Sequence, residues 1–171
     1  MPIRQNMLRA AADRFSQTVV TKSLRDAKLL GQQTAFLSHS HKDDVLAMGL
    51  QVLLKHYGWN VYIDWQDTSM PEIPNRETAV KIQSKIRESD WFLFLATSNS
   101  TSSKWCPWEI GYADTTKTLE RILIIPTEDY LGNCFGSEYL ELYRRITVDS
   151  EEGLSVFSAG KKNDGLRVKY L

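Results

Sequence analysis

The chain has 171 residues, of which 42% are hydrophobic and 25% are charged, a composition typical of one globular domain. Basic and acidic residues number 21 each, so no field of one sign points to nucleic acid or to an anionic membrane as a partner. The two cysteines, Cys106 and Cys134, are too few for a disulfide framework. The N-terminus lacks a secretory leader and no apolar run has the length of a membrane span, so we expect a cytoplasmic protein.

A helical pattern of apolar residues, with arginine and lysine in the gaps, runs through residues 5–30. Gly31 interrupts it, and an alternation of short apolar runs and helical patterns follows. We therefore predict three segments in chain order: a helical N-terminal extension over 1–31, the main domain over 32–150, and a C-terminal tail over 151–171 that packs on that domain or continues it.

Short apolar runs predict the strands of the main domain, at residues 34–38, 60–64, 91–96, 121–125 and 145–148. The run at 91–96 is apolar throughout, as in a strand buried on both faces. Helical patterns separate the strands, at residues 43–57, 75–87, 104–117 and, more weakly, 137–143. Asp43 or Asp44 can cap the first of these helices, and Asn75 can cap the second.

This alternation predicts an α/β domain of the flavodoxin-like, doubly wound class, with a five-stranded parallel sheet in the order 2-1-3-4-5 and helices on both faces. Ligands bind such sheets beyond the carboxyl ends of the strands, at the switch point between the first and third strands. The loops at residues 38–42 and 97–108 are therefore expected to form the functional site.

The second of these loops leads into a helix that carries an acid among aromatic residues. Pro107 must lie in the first turn of that helix, where its missing N–H costs least, and Ser103 is a candidate cap. Trp105 and Glu109 are four residues apart and share a face, with Trp108 beside them. Apolar rings raise the pKa of a carboxyl group whereas a helix N-terminus lowers it, and the sequence leaves the net direction open.

A second interpretation of the same residues needs no function. In it Trp105, Trp108 and Tyr112 form a packing stripe, and Glu109 is a solvated first-turn acid that complements the helix dipole. Physical reasoning from the residues alone favours this interpretation, because functional acids are the minority among helix acids.

Three motifs resemble those of the NAD-cleaving TIR (Toll/interleukin-1 receptor) domains. The Ser-x-Trp-Cys-x-x-Glu pattern at 103–109 resembles the catalytic signature of that family. Residues 34–40 resemble the opening TIR box, and 61–64 resemble the second TIR strand with its terminal aspartate. The similarity covers 34–148 in order, on the predicted α/β alternation. It favours a catalytic Glu109 over a solvated one.

The TIR resemblance implies cleavage of the bond between nicotinamide and ribose in NAD, through an oxocarbenium-like transition state. Glu109 is then the catalytic carboxylate, which stabilises the developing positive charge and can hold the ribose hydroxyls. Trp105 or Trp108 is expected to stack on an aromatic ring of NAD. NAD is the substrate in this prediction, and neither a separate cofactor nor a metal ion is expected.

Further substrate-binding residues are implied by the family, at Phe36, Ser38, His39, Ser40 and Asp64. Each polar residue also has a structural interpretation: Ser38 can satisfy backbone groups and Asp64 can order the loop that follows it. A metal site at His39 and His41 is not favoured, because no third ligand has suitable spacing. Cys106 is expected to be a small buried residue rather than a nucleophile.

The resemblance also implies partners. In TIR enzymes the loop after the second strand completes the site of a neighbouring subunit, so a homo-oligomer through residues 65–74 is expected. Pro71 and Pro74 stiffen this loop, but the glycine found near its tip in many relatives is absent. Stand-alone bacterial TIR defence proteins, such as the Thoeris TIR subunit, make a cyclic or modified ADP-ribose signal. A separate effector protein that reads such a signal in antiviral defence is therefore the expected partner.

Other functions remain open at this point. A non-catalytic TIR adaptor would act by assembly alone, and a nucleoside deoxyribosyltransferase-like enzyme has a similar fold and a catalytic glutamate. A phospho-receiver domain is disfavoured, because it needs an aspartate at the end of the third strand and a lysine at the end of the fifth. The chain has 97–99 (Thr-Ser-Asn) and 148–149 (Val-Asp) at these places.

Overall fold

The computed structural model describes residues 1–14, 23–71, 73, 75–161 and 163–171. Among these residues the strands are β1 (Ile3–Arg4), β2 (Gln33–Ser38), β3 (Trp59–Tyr62), β4 (Trp91–Ala96), β5 (Ile122–Glu128), β6 (Cys134–Phe135), β7 (Arg144–Val148), β8 (Leu154–Phe157) and β9 (Leu166–Arg167). The α-helices are α1 (Gln5–Ala12), α2 (Leu24–Leu29), α3 (Asp44–Lys55), α4 (Arg76–Glu88), α5 (Ser98–Thr101) and α6 (Trp105–Thr116).

The strands form one sheet in the order β3-β2-β4-β5-β7-β8-β9. The first five of these are parallel to one another and correspond to the five predicted strands. Their order is 2-1-3-4-5, so the predicted flavodoxin-like class is confirmed. The sheet is larger than predicted, because β8 and β9 extend it antiparallel beyond β7, and β1 and β6 pair with the end of β5.

Two apolar layers cover the sheet. On one face Leu8 of α1 and Leu50 of α3 pack on the strands, and on the other face Ile86 of α4 and Ile110 of α6 do so. Alternate residues of β4 enter each layer, and all six of its residues are buried. This is why the strand is apolar throughout, as the sequence predicted.

The N-terminal segment belongs to the first of these layers. Ile3 and Leu8 are completely buried, and β1 pairs with the end of β5. Helix α1 crosses α3 so closely at Gly49 that a Cβ atom there would lie 1.9 Å from the carbonyl oxygen of Leu8. The segment therefore forms part of the core of the sheet protein.

Some local predictions change in the structure. Helices α1 and α2 lie within the helix predicted over 5–30, and residues 15–22 are outside the described residues. The weak helix predicted over 137–143 is a 3-10 helix at Glu138–Leu142. The segment boundaries at 31 and 150 remain predictions. In the described part of the chain, no helix combines the length and the apolarity needed to cross a membrane.

Helix capping follows the sequence in one case and departs from it in another. Asn75 caps α4 through a capping box with Thr78, as predicted. Asp43 occupies the cap position of α3, but its side chain accepts no hydrogen bond from that helix. The predicted capping role of Asp43 is therefore wrong, because the carboxylate is engaged elsewhere.

The contact at Gly49 provides a test of how firmly the N-terminal segment is packed. Gly49→Ala is expected to lower the free energy of unfolding by about 1–3 kcal/mol, because the new Cβ atom must displace the backbone of α1. Gly111→Ala in α6 is the matched control, since no atom lies within 4 Å of its added Cβ. That control is expected to be neutral or more stable by about 0.5–1 kcal/mol. Equal stability of both variants in urea denaturation would contradict the packing described here.

Candidate active site

The predicted site forms where β2 and β4 end and α6 begins. The hydroxyl of Ser103 accepts hydrogen bonds from the backbone N–H groups of Trp105 (3.1 Å) and Cys106 (3.3 Å). Pro107 follows in the first turn, where its missing N–H leaves no helical bond unmade. The sequence prediction for the start of this helix is confirmed. Helix α6 thus begins at Trp105, next to the end of β2.

Glu109 lies in the second turn of α6 and points into the protein. Its side chain is buried, with 4% of the residue exposed, and Ser38 Oγ at the end of β2 donates a hydrogen bond to Oε2 at 2.5 Å. No acidic residue occupies the first turn of this helix. The interpretation of Glu109 as a solvated first-turn acid is therefore wrong.

The environment of Glu109 decides the question of its pKa that the sequence left open. Burial raises the pKa of this carboxyl group to about 8, and the negative charge of Asp64 acts in the same direction. The hydrogen bond from Ser38 opposes the shift, because it stabilises the ionised form. Desolvation therefore outweighs every lowering influence on the acid.

A narrow cleft opens next to Glu109. Its lining residues come from the loop after β2, the end of β3, and helices α4 and α6, and they are His39, His41, Asp64, Thr78, Ile82, Ser103, Trp105 and Glu109. The cavity has a volume of about 30 Å³, enough for a water molecule but far below the roughly 300–1,000 Å³ of ligand pockets. A dinucleotide therefore enters only if the lining moves. A larger open groove of about 940 Å³, between the N-terminus and β7–β9, contains none of the predicted site residues.

Five of the predicted site residues come together around this cleft: Ser38, His39, Asp64, Trp105 and Glu109. Three others lie elsewhere. Phe36 is 1% exposed in the core, where its ring stacks on those of Tyr62 and Phe92. Ser40 caps the 3-10 helix at His41–Asp43. Trp108 is 37% exposed outside the cleft, with its ring edge against Trp105 at a centroid distance of 5.5 Å.

His39 presents an unsatisfied nitrogen at the wall of the cleft. Its Nδ1 lies 3.2 Å from the carbonyl oxygen of Leu37, and its Nε2 lies 3.9 Å from Asp44 Oδ1 and 4.0 Å from Asp64 Oδ1. Within the described residues, neither His39 Nε2 nor Asp44 Oδ1 has a hydrogen-bond partner. Burial raises the pKa of Asp44. These atoms are positioned to receive a water molecule or a polar group of a ligand.

Sequence reasoning assigned no substrate-binding role to four lining residues: His41 and Ser103 lie in the two loops that it singled out, whereas Thr78 and Ile82 of α4 lie outside them. Thr78 and Ile82 are four residues apart on α4 and both are buried, so the spacing carried a signal for the inward face of that helix. It carried no signal for which neighbouring helix this face meets.

Cys106 is not available as a nucleophile. The thiol is completely buried, and burial together with the nearby Glu109 raises its pKa to about 11. In the part of the chain that the structure describes, no three histidine, cysteine or acidic side chains are grouped so that they could hold a metal ion.

The fold and the site together define a flavodoxin-like α/β protein with a buried acid at the switch point of its sheet. Residues 35–149 match the model of the TIR domain family, and the chain belongs to that family. Among curated proteins with provisional names, the 3' cyclic ADP-D-ribose synthase ThsB' of Bacillus cereus (strain MSX-D12) is 34% identical over 110 residues, which are 63% of this chain and 57% of the relative. The cyclic ADP-D-ribose synthase TIR2 of Cytobacillus dafuensis is 30% identical over 88 residues, which are 49% of this chain and 23% of the relative. The chain thus matches little more than half the length of the first relative and less than a quarter of the second.

The raised pKa of Glu109 predicts a pH dependence of stability. Between the ordinary value of 4.5 and about 8, the folded state holds a proton on Glu109 that the unfolded state has lost, so the free energy of unfolding falls as the pH rises. Glu109→Gln removes this dependence while keeping the shape of the side chain. The variant is therefore expected to match the wild type near pH 4 and to exceed it in stability at pH 8.

Urea denaturation at pH 4, 6 and 8 checks this expectation. Glu141→Gln is the control, because Glu141 is exposed and its substitution is expected to follow the wild type at each pH. A stability difference for Glu109→Gln that is independent of pH, or that favours the wild type at pH 8, would contradict the burial of an acid at this position.

Proposed function

We propose that this protein cleaves the bond between nicotinamide and ribose in NAD and releases a cyclic or otherwise modified ADP-ribose. The observation that carries the proposal is the buried Glu109, which accepts a hydrogen bond from Ser38 at the switch point of the sheet. Trp105 lies beside it on the wall of the cleft. The names of the two curated relatives, which are cyclic ADP-D-ribose synthases, support the same reaction.

In the proposed reaction, nicotinamide leaves with the electron pair of the glycosidic bond and a positive charge develops on the ribose. Ionised Glu109 stabilises that charge, and its buried position strengthens the attraction because little water screens it. Trp105 offers an aromatic face to a ring of the substrate. NAD is consumed as a substrate, and the chain's own groups supply the catalytic functions without a metal ion.

Two routes complete the proposed reaction. The ribosyl cation is attacked either by water, which gives linear ADP-ribose, or by a nucleophilic atom of the same ADP-ribose, which closes a ring and releases a proton. The second route needs the internal nucleophile held close to the reacting carbon while water is excluded. The names of the two curated relatives favour this route.

The pKa of Glu109 gives this reaction a defined pH dependence. Because the ionised form is the active one, kcat/KM for NAD is expected to rise with pH through a midpoint near 8 and to level off above it. Glu109→Gln is expected to lose activity by a factor on the order of 100 or more while remaining folded. Steady-state rates of nicotinamide release from pH 6 to 9.5 check the profile. A folded Glu109→Gln protein with wild-type rates would contradict the assignment of Glu109 as the catalytic carboxylate.

Product analysis separates the remaining functions. Chromatography and mass spectrometry of the NAD reaction distinguish a cyclic product, which lacks one water relative to linear ADP-ribose, from simple hydrolysis. Release of linear ADP-ribose alone would leave an NAD hydrolase and remove the signalling role. Activity on nucleosides but not on NAD would indicate the deoxyribosyltransferase-like reaction, and no activity would indicate an adaptor.

We further propose that the product acts on a separate effector protein in bacterial antiviral defence, and that the enzyme works in the cytoplasm. Cys106 and Cys134 are both free thiols, in keeping with a reducing compartment. A small cyclic nucleotide diffuses away from the enzyme that makes it, so it suits a signal that another protein reads.

Assembly through residues 65–74 is also proposed, with Glu72 and Pro74 outside the described residues. Trp65 is 40% exposed and Ile73 is 79% exposed, so the loop presents apolar surface. The hydroxyl of Tyr62 donates to Asp67 at 2.8 Å, which ties the loop to β3. The backbone N–H of Trp65 donates to Asp64, a residue of the cleft, at 2.9 Å. A contact on this loop would therefore adjoin the active site.

A charge placed on the exposed loop tests this assembly. Ile73→Asp is expected to lower the specific activity at micromolar protein and to abolish its rise with protein concentration, because a charge is costly to bury in an apolar contact. Leu131→Asp is the matched control, since Leu131 is 68% exposed in the hairpin after β5. Specific activity and light scattering across a concentration series provide the measurement. Identical behaviour of the two variants would remove the assembly role of the loop.

A further inference from the structure

A second buried acid, Asp43, lies behind the cleft and does not line it. The residue is 5% exposed. Its carboxylate accepts a hydrogen bond from Thr97 Oγ1 at 2.6 Å and another from Asn99 Nδ2 at 2.7 Å. Over the described ranges, no lysine, arginine or histidine forms an ion pair with it. Burial of a carboxylate costs free energy unless hydrogen bonds satisfy it, so the contacts that Asp43 makes account for its position.

Helix capping does not explain it. Asp43 occupies the cap position of α3, where an aspartate side chain normally accepts from a free N–H of the first turn. No such hydrogen bond is present, and the backbone N–H of Asp43 donates instead to Ser40 O at 2.8 Å. The side chain has turned away from its own helix toward the loop that follows β4.

The two hydrogen bonds of Asp43 connect the two loops that build the site. The loop after β2 follows Ser38, carries His39 and ends at Asp43. The loop after β4 begins at Thr97 and leads through α5 to α6, which carries Glu109. Asp43 thus joins the loop that follows Ser38 to the loop that leads to the helix of Glu109.

Thr97 is itself rigidly held. Its hydroxyl accepts from the backbone N–H of Ser100 at 3.0 Å, and the hydroxyl of Ser100 accepts from the backbone N–H of Thr97 at 2.8 Å. This capping box starts α5 and fixes the direction of the Thr97 side chain. The hydroxyl proton of Thr97 is left for Asp43, so the contact between the loops has one defined geometry.

We infer that Asp43 is a positioning residue, which holds the loops after β2 and β4 in the one arrangement that brings the Ser38 hydroxyl onto the Glu109 carboxylate. The inference rests on the proposed function only for its effect on rate. The Ser38–Glu109 bond of 2.5 Å is lost when its atoms separate by about 1 Å, so a small shift of either loop is enough to break it. Asp43 maintains this alignment through its bonds to Thr97 and Asn99.

The chain offers a control at the opposite ends of the same two strands. Asp90, which precedes β4, accepts hydrogen bonds from Thr34 N at 3.0 Å and Thr34 Oγ1 at 2.6 Å near the start of β2. It links the same two strands through an aspartate and a threonine at their amino ends, and it also forms an ion pair with Lys28 Nζ at 3.2 Å. Asp90→Asn therefore makes the chemical change of Asp43→Asn far from the cleft.

The test measures the titration of Glu109 directly, by NMR of the full-length protein with 13C-labelled glutamate carboxyl groups and assignment from Glu109→Gln. Asp43→Asn is expected to move the Glu109 midpoint upward, because the Ser38 hydrogen bond that lowers the pKa is weakened. Asp90→Asn is expected to leave the midpoint in place even where it lowers the melting temperature. Asp64, His39 and His41, the other titratable groups of the cleft, are unchanged in both variants.

Kinetics with NAD provide the second measurement. Asp43→Asn is expected to lower kcat on the order of 10–100-fold with little change in KM, as misalignment of a catalytic group does, and Asp90→Asn is expected to keep kcat. Thr97→Val and Asn99→Ala each remove one hydrogen-bond donor to Asp43, and they replace Asp43→Asn in both measurements if that variant does not fold. Thr97→Val combined with Asp43→Asn is expected to be no worse than the more damaging single variant, because both break one contact.

The outcomes separate the two proposals. An unmoved Glu109 midpoint in Asp43→Asn and in Thr97→Val, or an equal shift in Asp90→Asn, would overturn the positioning role. A moved midpoint in a protein whose wild type leaves NAD intact would support the positioning role and overturn the proposed function. A moved midpoint with the expected loss of kcat supports both.

Discussion

The hydrogen bond between Ser38 and Glu109 is the contact on which the arrangement of the site depends. It joins residues 71 positions apart, at the end of β2 and in the second turn of α6. It therefore exists only once the parallel sheet has formed and α6 has packed on it. Because burial disfavours the ionised acid, the two apolar layers must supply the free energy that keeps Glu109 out of water.

Burial of this acid has opposite effects on folding and on chemistry. Without water, the ionised form of Glu109 is less stable, which raises the pKa of the carboxyl group to about 8. The same absence of water strengthens the attraction between that carboxylate and a positive charge developing nearby. The hydrogen bond from the Ser38 hydroxyl reduces the cost of ionising Glu109, since it stabilises the carboxylate without admitting solvent. A buried acid of this kind makes the fold less stable than an apolar residue would.

Much of the fold was predictable because the alternation of apolar runs and helical patterns indicates a doubly wound parallel sheet, and five strands most often take the order 2-1-3-4-5. For the site, the patterns predicted which loops and which helix form it, but not which side chains of these elements face the cleft. Strand periodicity places Phe36 on the same face as Ser38, but two residues earlier and so about 6.6 Å deeper in the sheet, where it packs in the core. Trp108 is turned by about 100° from Glu109 around the helix axis, which directs it away from the cleft. The direction of the Glu109 pKa shift depended on the position of the acid in its helix. Because α6 starts at Trp105, Glu109 lies in the second turn, where the helix dipole has little effect, and desolvation raises the pKa.

The family match and the folding unit do not coincide in this chain. The match ends before β8 and β9 and begins after α1, yet all of these elements contact the same sheet or its helices. Helix α1 packs on α3 around Gly49, and the first turn of α3 holds Asp44 against His39 at the wall of the cleft. A displacement of α1 would thus reach the cleft through α3. The segment outside the family match therefore packs on a helix that supports one wall of the candidate active site.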